Sequence, residues 1–380
     1  MGDLRVGVIG GGQLARMMIV PAINLGLDIK VFSETQDAPA AAATTMVGDY
    51  TQLQSIRDFA ATVDVITFDH EHVPLSVLRA LEEDGVSVQP PSRALEFAQN
   101  KLLMRKRLAD LGLSMPVWAE IQNEAQLQEF LNANGGVCIL KTPIGGYDGK
   151  GVRVVRSVAD AADWLTNDGL AKAGGSLLAE EKVEFVREVA QLSARRPSGE
   201  FAAWPLTQTT QANGVCAEVI CPAPNTSAEL IAEAQQIAQT VAHELGVTGV
   251  LAVEMFETPN GRLLINELAM RPHNSGHFSI EGSETSQFEQ HVRAVLDLPL
   301  GSTQARAAAS VMVNILGVDD TTDLLGNLDA ALAAHPEAKV HTYGKAARAG
   351  RKMGHVTVVS NDLQFAQSQA HATAKALLQG

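Results

Sequence analysis

Apolar positions in this chain follow two rhythms, and the switching between them outlines a fold. Residues 4–9 (LRVGVI) read as a buried strand, and 27–32 and 63–68 (VDVITF) as two further short strands. Residues 13–25 carry helical spacing, with a bend predicted at Pro21. Strands alternating with helices predict a parallel sheet wound with helices, closing near Pro90-Pro91. Residues 93–111 then read as helical and basic. The pattern changes after Pro116. Residues 137–141 (VCILK) and 151–155 (GVRVV) predict strands joined by a glycine-rich loop, 159–166 a short helix, and 177–179 another strand. From 183 to 223 the chain reads as antiparallel strands turning at Arg196-Pro197-Ser198-Gly199. The clearest helix is 227–245, with its stripe of Leu230, Ile231, Ala234, Ile237, Val241 and Leu245. Thr226 and Glu229 form a capping box at its start and Gly246 terminates it. After Ala305 a smaller αβ tail ends in HVTVVS and an amphipathic helix.

One hairpin stands out. In GVLAVEMFETPNGRLLINEL, residues 249–268, Asn260-Gly261 is a strong turn signal between apolar flanks. A two-residue loop there makes Pro259 face Arg262, and counting outward brings Glu254 opposite Glu267 on one sheet face. Like charges directly across a ladder repel, so a cation is expected between them. Two carboxylates and the amide of Asn266 are oxygen donors that suit Mg²⁺ carrying substrate phosphates.

Composition narrows the function classes. The chain has 380 residues, 46% of them apolar and 19% charged, which suits two or three globular domains. A net charge of −14 argues against nucleic acid or an anionic membrane as the main partner. Cys138, Cys216 and Cys221 form no CxxC pair, which reads as reduced thiols in a cytoplasmic protein. No signal peptide, myristoylation site or membrane span is expected from the sequence.

Several segments carry chemistry. Gly10-x-Gly12-x-x-Ala15 follows a strand and opens a helix, with Glu34 ending the next strand, as in dinucleotide-binding turns. Such turns also bind other phosphates or simply allow close packing. A nicotinamide-dependent oxidoreductase is therefore the alternative from a different enzyme class. Gly145, Gly146, Tyr147, Asp148, Gly149, Lys150 and Gly151 hold four glycines in seven residues between two predicted strands, a cover able to close on a polyphosphate. Lys141 ends the strand before it and aims a charge at the same cleft. Glu180-Glu181-Lys182-Val183 follows a buried strand and reads either as a solvated charge run, the commoner case, or as the lining of an adenine slot with Glu188 accepting from ribose hydroxyls. Asp69-His70-Glu71-His72 lies at the carboxyl end of a strand, where wound sheets bind ligands. His70 and His72 would point to opposite faces of a continuing strand, against a metal site. His273-Asn274-Ser275-Gly276-His277 reads as a polar loop gripping a small ligand. Lys345, Arg348, Arg351 and Lys352 place four cations in eight residues of an acidic chain, which reads as a solvated face, a contact with an acidic partner, or a clamp for the phosphate of a second substrate.

Together these segments resemble the ATP-grasp ligases, and within them the N5-carboxyaminoimidazole ribonucleotide synthetase family. The resemblance rests on GGGQLARM (10–17), TFDHEHVP (67–74), KTPIGGYDGKG (141–151), LLINELAMRPHNSGH (263–277) and GRKMGH (350–355), in the family's order across nearly the whole chain. It implies an α/β ATP-grasp fold with a Rossmann-like domain at 1–112. A small lid domain at 113–185, a large domain with the metal site at 186–304 and a C-terminal domain at 305–380 would follow. It implies an ATP-dependent C–N ligase that forms carboxyphosphate from bicarbonate and carboxylates 5-aminoimidazole ribonucleotide, as a homodimer whose product a mutase consumes, with another ATP-grasp ligase on a related ribotide as the alternative within the superfamily. Glu254 and Glu267 would hold Mg²⁺, completed by Asn266. Lys101, Lys141 and the 145–151 loop would hold ATP phosphates. Glu180 to Val183 and Glu188 would hold adenosine, near Gln211. Gln13, Glu71, Tyr147, Asp148, Lys345, Arg351 and Lys352 would hold the ribotide. Arg271, His273 and Asn274 would flank bicarbonate and the transferring phosphoryl group, with Lys141 joining them in catalysis. Three positions depart from the family pattern: Lys101 stands for an arginine, Gln211 for a histidine and Val152 for a polar residue.

Overall fold

The computed structural model describes residues 4–145, 151–212 and 214–379. Three sheets organise the chain. The first is parallel, in the order Thr44–Val47, Asp28–Ser33, Arg5–Ile9 and Val65–Phe68. Its outer strand, Thr44–Val47, escapes the sequence pattern because it alternates half-buried and exposed residues instead of forming an apolar run. The second sheet is antiparallel, in the order Trp118–Ile121, Leu177–Glu181, Cys138–Lys141 and Val152–Val155. The third runs Leu263–Ala269, Gly249–Glu257, Arg187–Arg195, Thr207–Ala212, Val215–Cys221, Ala309–Leu316, Lys352–Ser360 and Lys339–Thr342, with Phe201–Ala203 paired beside Arg187–Arg195. Strands on both sides of residue 305 thus share one sheet, joined where Val215–Cys221 pairs with Ala309–Leu316.

Local chemistry explains where helices start. The basic stretch 93–111 is two helices, Ser92–Gln99 and Lys101–Asp110, because Asn100 is extended and its side chain accepts from the N–H groups of Leu102 and Leu103. The second helix therefore begins with Lys101. The long helix Ala228–Glu244 is capped by Ser227, which accepts from the Leu230 N–H at 3.2 Å. Thr226, the expected cap, instead accepts from Arg187 at 2.9 Å. The segment expected as a helix at 159–166 is a 3₁₀ turn, Val158–Ala161, and the helix proper is Asn167–Lys172.

Packing joins the first sheet to the third. Ile9, Phe68 and Leu95 share one apolar cluster with Leu251, Ile265 and Met270. His291, fully buried, spans the same junction. Its Nδ1 accepts from the Val250 N–H at 3.0 Å, which leaves the ring proton on Nε2, 2.7 Å from Thr67 Oγ1. Burial pushes its pKa down to about 3, so the ring stays neutral. The final helix, Leu363–Gln379, buries Ala366, Ala370 and Leu377 against Ala309–Leu316 and Lys352–Ser360. Among the described residues no helix is long and apolar enough to cross a membrane. Cys138, Cys216 and Cys221 are buried thiols.

Candidate active site

Residues of the second and third sheets, and of segments that follow strands of the first, line a cavity of about 1090 Å³. Its centre is the hairpin Gly249–Glu257/Leu263–Ala269, where Glu254 pairs with Glu267. The route to that pairing differs from the sequence reading. Thr258 donates its N–H to the Arg262 carbonyl, so the loop has three residues, Pro259, Asn260 and Gly261, with Gly261 at φ 73°. That loop alone would set Glu254 opposite Asn266. A bulge between Glu254 and Met255 absorbs Asn266 and restores Glu267 to the pairing position. All three oxygen-bearing side chains line the cavity.

The electrostatics of this pair call for a cation. Burial pushes Glu254 up to about 8, and the charges of Glu267 and Glu188 add to the rise. Lys101 Nζ lies 3.1 Å from Glu267 Oε1. Among the described residues no group of three or more His, Cys, Asp or Glu side chains could hold a metal. Two carboxylates and one amide fit Mg²⁺, which keeps several positions for water and phosphate oxygens.

A buried ionic triad sits behind the hairpin. Glu180 Oε2 lies 2.6 Å from Lys141 Nζ, and Glu180 Oε1 accepts from Arg105 Nε at 2.6 Å. Arg105 also donates to the Ile265 and Asn266 carbonyls at 3.1 and 2.7 Å. Lys141 Nζ reaches Asn266 Oδ1 at 3.2 Å. Burial alone would push Glu180 up, but Arg105 and Lys141 outweigh it and hold the carboxyl below its ordinary value. The Glu180 carboxylate, expected at adenosine, is thus committed to these two cations. Glu181, Lys182, Val183, Glu188 and Gln211 line the cavity beside the apolar walls of Ile139, Phe185 and Phe256. Burial raises the Glu188 carboxyl against a hydrogen bond from Gln211.

Segments that follow strands of the first sheet, and residues of the C-terminal part, also line the cavity. Gln13 opens helix Gln13–Asn24 and its Oε1 accepts from Lys345 Nζ. Lys352 lines the same cavity, where its charge acts on Glu254 and His273. Glu71 accepts from the Met270 N–H at 2.6 Å and lies 3.5 Å from Arg271 Nε, which ties the first sheet to the loop after Ala269. His273 Nδ1 accepts from the Ser275 N–H at 3.3 Å, leaving the proton on Nε2, 3.7 Å from Glu254 Oε1. Burial, then Arg271 and Lys352, holds its pKa well below the ordinary value.

The glycine turn at residues 10–12 does not present a vacant anion site. The Asp69 carboxylate accepts from Gly12 N–H at 2.9 Å and Ala15 N–H at 2.8 Å, the groups a pyrophosphate would use. A Cβ on Gly12 would stand 2.0 Å from Asp69 Oδ2, so glycine here serves close packing. His70 and His72, expected on opposite faces, have stacked rings 5.2 Å apart, because the strand ends at Phe68.

The cavity gathers Gln13, Glu71, Lys101, Lys141, Glu180 to Val183, Glu188, Gln211, Glu254, Asn266, Glu267, Arg271, His273, Asn274, Lys345 and Lys352. Arg351 lies outside this lining and donates to the Ala346 carbonyl at 2.9 Å. Gly151 also lies outside it, its carbonyl accepting from Thr142 N–H. Gly146, Tyr147, Asp148, Gly149 and Lys150 fall outside the described residues. Sequence reasoning missed Arg105, and it placed Asp69 among strand-end ligand candidates without its role in the glycine turn. The signal for Arg105 was its place four residues after Lys101, on the same helix face.

Comparisons with known proteins agree with this architecture. Residues 4–99 match a ribonucleotide synthetase preATP-grasp domain, 106–288 an ATP-grasp domain and 310–369 a phosphoribosylaminoimidazole carboxylase C-terminal domain. The chain is 47% identical to an N5-carboxyaminoimidazole ribonucleotide synthase of Mycobacterium bovis, over 99% of this chain and 88% of that one. The crystal structure of an N5-carboxyaminoimidazole ribonucleotide synthetase from Thermus thermophilus matches with a TM-score of 0.86 at 35% identity, covering 99% of both chains. That of an N5-carboxyaminoimidazole synthase from Aspergillus clavatus, in complex with ADP and 5-aminoimidazole ribonucleotide, matches with a TM-score of 0.88 at 31% identity, covering 99% of this chain and 98% of that one.

Proposed function

The chain belongs to the N5-carboxyaminoimidazole ribonucleotide synthase family of ATP-grasp ligases, and from that premise we propose the reaction it runs. It is an ATP-dependent C–N ligase of purine biosynthesis. It carboxylates the exocyclic amine of 5-aminoimidazole ribonucleotide with bicarbonate and releases N5-carboxyaminoimidazole ribonucleotide, ADP and phosphate. The observation that supports this reading is a cavity lined by two differently equipped sets of residues. One set is the Glu254/Glu267 pair with Lys101 and Lys141, and the other is Gln13 with Lys345 and Lys352.

In this reading the γ-phosphoryl group of ATP passes to a bicarbonate oxygen, giving carboxyphosphate. The ribotide amine then attacks the carboxyl carbon of that species, or CO₂ released from it. The C–N bond forms, phosphate leaves and the amine loses a proton. Glu254, Glu267 and Asn266 would hold Mg²⁺, which would supply charge neutralisation at the phosphate oxygens. Lys101 and Lys141 neutralise the remaining phosphate charge, and the 145–151 loop covers the phosphates. Glu181, Lys182, Val183, Glu188 and Gln211 hold adenosine, while Glu180 aims Lys141. Arg271, His273 and Asn274 orient bicarbonate and the transferring group. Gln13, Glu71, Lys345, Arg351 and Lys352 hold the ribotide with Tyr147 and Asp148. Much of the acceleration comes from positioning, and exclusion of water protects carboxyphosphate from hydrolysis. The enzyme works in the cytoplasm as a homodimer and passes its labile product to a mutase.

Isotopically labelled bicarbonate tests the reading. Label should enter an acid-labile product of the ribotide, one equivalent per ADP formed. ADP formation without incorporation of label into the ribotide would overturn it.

A further inference from the structure

A buried polar row ties the loop after the metal-binding hairpin to the C-terminal strands. Asn274, His277 and Glu281 lie at helical spacing, on one face of a segment formed by the 3₁₀ turn Asn274–Gly276 and the helix Ser279–Gly282. Opposite them, Asn314, His355 and His341 are register partners on three adjacent strands, Asn314 paired with His355 and His355 with His341. The two rows meet residue by residue. Asn274 bonds Asn314, the His277 and His355 rings lie 5.1 Å apart, and Glu281 Oε1 lies 2.7 Å from His341 Nε2. His355 is fixed in turn by Tyr343, whose hydroxyl lies 2.7 Å from its Nδ1.

The Asn274–Asn314 contact is a reciprocal amide pair. Asn274 Nδ2 donates to Asn314 Oδ1 at 3.1 Å, and Asn314 Nδ2 donates to Asn274 Oδ1 at 2.6 Å. Asn314 Nδ2 also donates to the Cys216 carbonyl at 2.8 Å. A backbone carbonyl can only accept, so it fixes which way the Asn314 amide points. Asn314 then fixes the Asn274 amide. The result is that Asn274 keeps a second Nδ2 proton to present to the cavity it lines.

We propose that Asn314 is a positioning residue for the carboxylation chemistry: it sets the Asn274 amide so that a donor, and not the carbonyl oxygen, faces the reacting groups. The inference rests on the proposed function, in which Asn274 lies beside bicarbonate. It also gives the C-terminal strands a second task beside carrying ribotide-binding cations.

A double-mutant cycle on the full chain tests it, with turnover number, both KM values and thermal melting measured for Asn274→Ala, Asn314→Ala, Asn314→Asp and the Asn274→Ala/Asn314→Ala pair. Asn314→Asp keeps the shape and the acceptor but removes the donor. Turnover should fall about tenfold in both single Asn314 variants, the loss of roughly one well-placed hydrogen bond, with KM values within about twofold. The double variant should be no slower than Asn274→Ala alone. Losses that multiply, or an Asn314→Asp enzyme with full turnover beside an impaired Asn274→Ala, would overturn the inference. Full turnover in Asn274→Ala would instead remove Asn274 from the proposed mechanism, and the inference would fall with it.

Discussion

Replacing Arg105 with methionine should weaken the fold and the nucleotide site together. Arg105 is 0% exposed and makes one bond to Glu180 and one each to the Ile265 and Asn266 carbonyls. Arg105→Met leaves the buried Glu180 with Lys141 alone and strips a partner from two buried carbonyls. Removing one side of a buried ion pair costs about 3–5 kcal/mol. Unfolding entropy of about 2.1 cal/mol/K per residue gives roughly 0.8 kcal/mol/K for 380 residues. The melting temperature should therefore fall by about 4–6 °C. The sign with pH also follows. Glu180 is held below its ordinary 4.5 in the folded state, so its contribution is present above that value and lost as pH falls through the lowered one. The gap between wild type and variant should narrow in acid. Arg105→Lys should recover less than half the loss, since one ammonium cannot span three acceptors as a guanidinium does. Calorimetry at neutral and acid pH, with the KM for ATP, provides the assay. An unchanged melting temperature in Arg105→Met, or full recovery in Arg105→Lys, would refute the reasoning.

Other expectations are as direct. Glu267→Gln should abolish turnover while the fold survives, because it removes one charge from the proposed Mg²⁺ site; near-normal activity would sink that assignment. Lys345→Ala should raise the KM for the ribotide at least tenfold more than that for ATP, as loss of a charged partner to a phosphate commonly does, and equal rises would undo the division of the cavity. Gly12→Ala should misplace Gln13, since its Cβ falls 2.0 Å from Asp69 Oδ2. Steady-state kinetics should show the ribotide KM rising with the ATP KM unchanged, and an unaffected ribotide KM would contradict the role given to this turn.

Much of the site is legible in the chain because strand pairing and turn chemistry are local. The Glu254–Glu267 pairing is the instructive case. A two-residue loop leads to it on paper, whereas the protein reaches it with a three-residue loop and a compensating bulge at Asn266. The bulge leaves no mark in hydrophobic alternation, so the right pair follows from an incomplete account of the turn. The capping shift from Thr226 to Ser227 has a similar origin. Both hydroxyls suit the role, and the choice is made by Arg187, which lies 39 residues away in sequence. The filling of the glycine turn by Asp69 is not legible either, since it links residues 57 and 54 apart. Nor does the sequence reveal that Val215–Cys221 hydrogen bonds Ala309–Leu316 and carries one sheet past residue 305. Periodicity identifies strands and leaves their distant partners open.

The central claim is that one cavity couples ATP cleavage to carboxylation of an aminoimidazole ribotide. The most direct measurement is ADP release by the purified protein with Mg²⁺-ATP and bicarbonate, with and without 5-aminoimidazole ribonucleotide. The account predicts strong stimulation by the ribotide, matched by loss of its free amine. ADP release indifferent to the ribotide, or none at all, would contradict it.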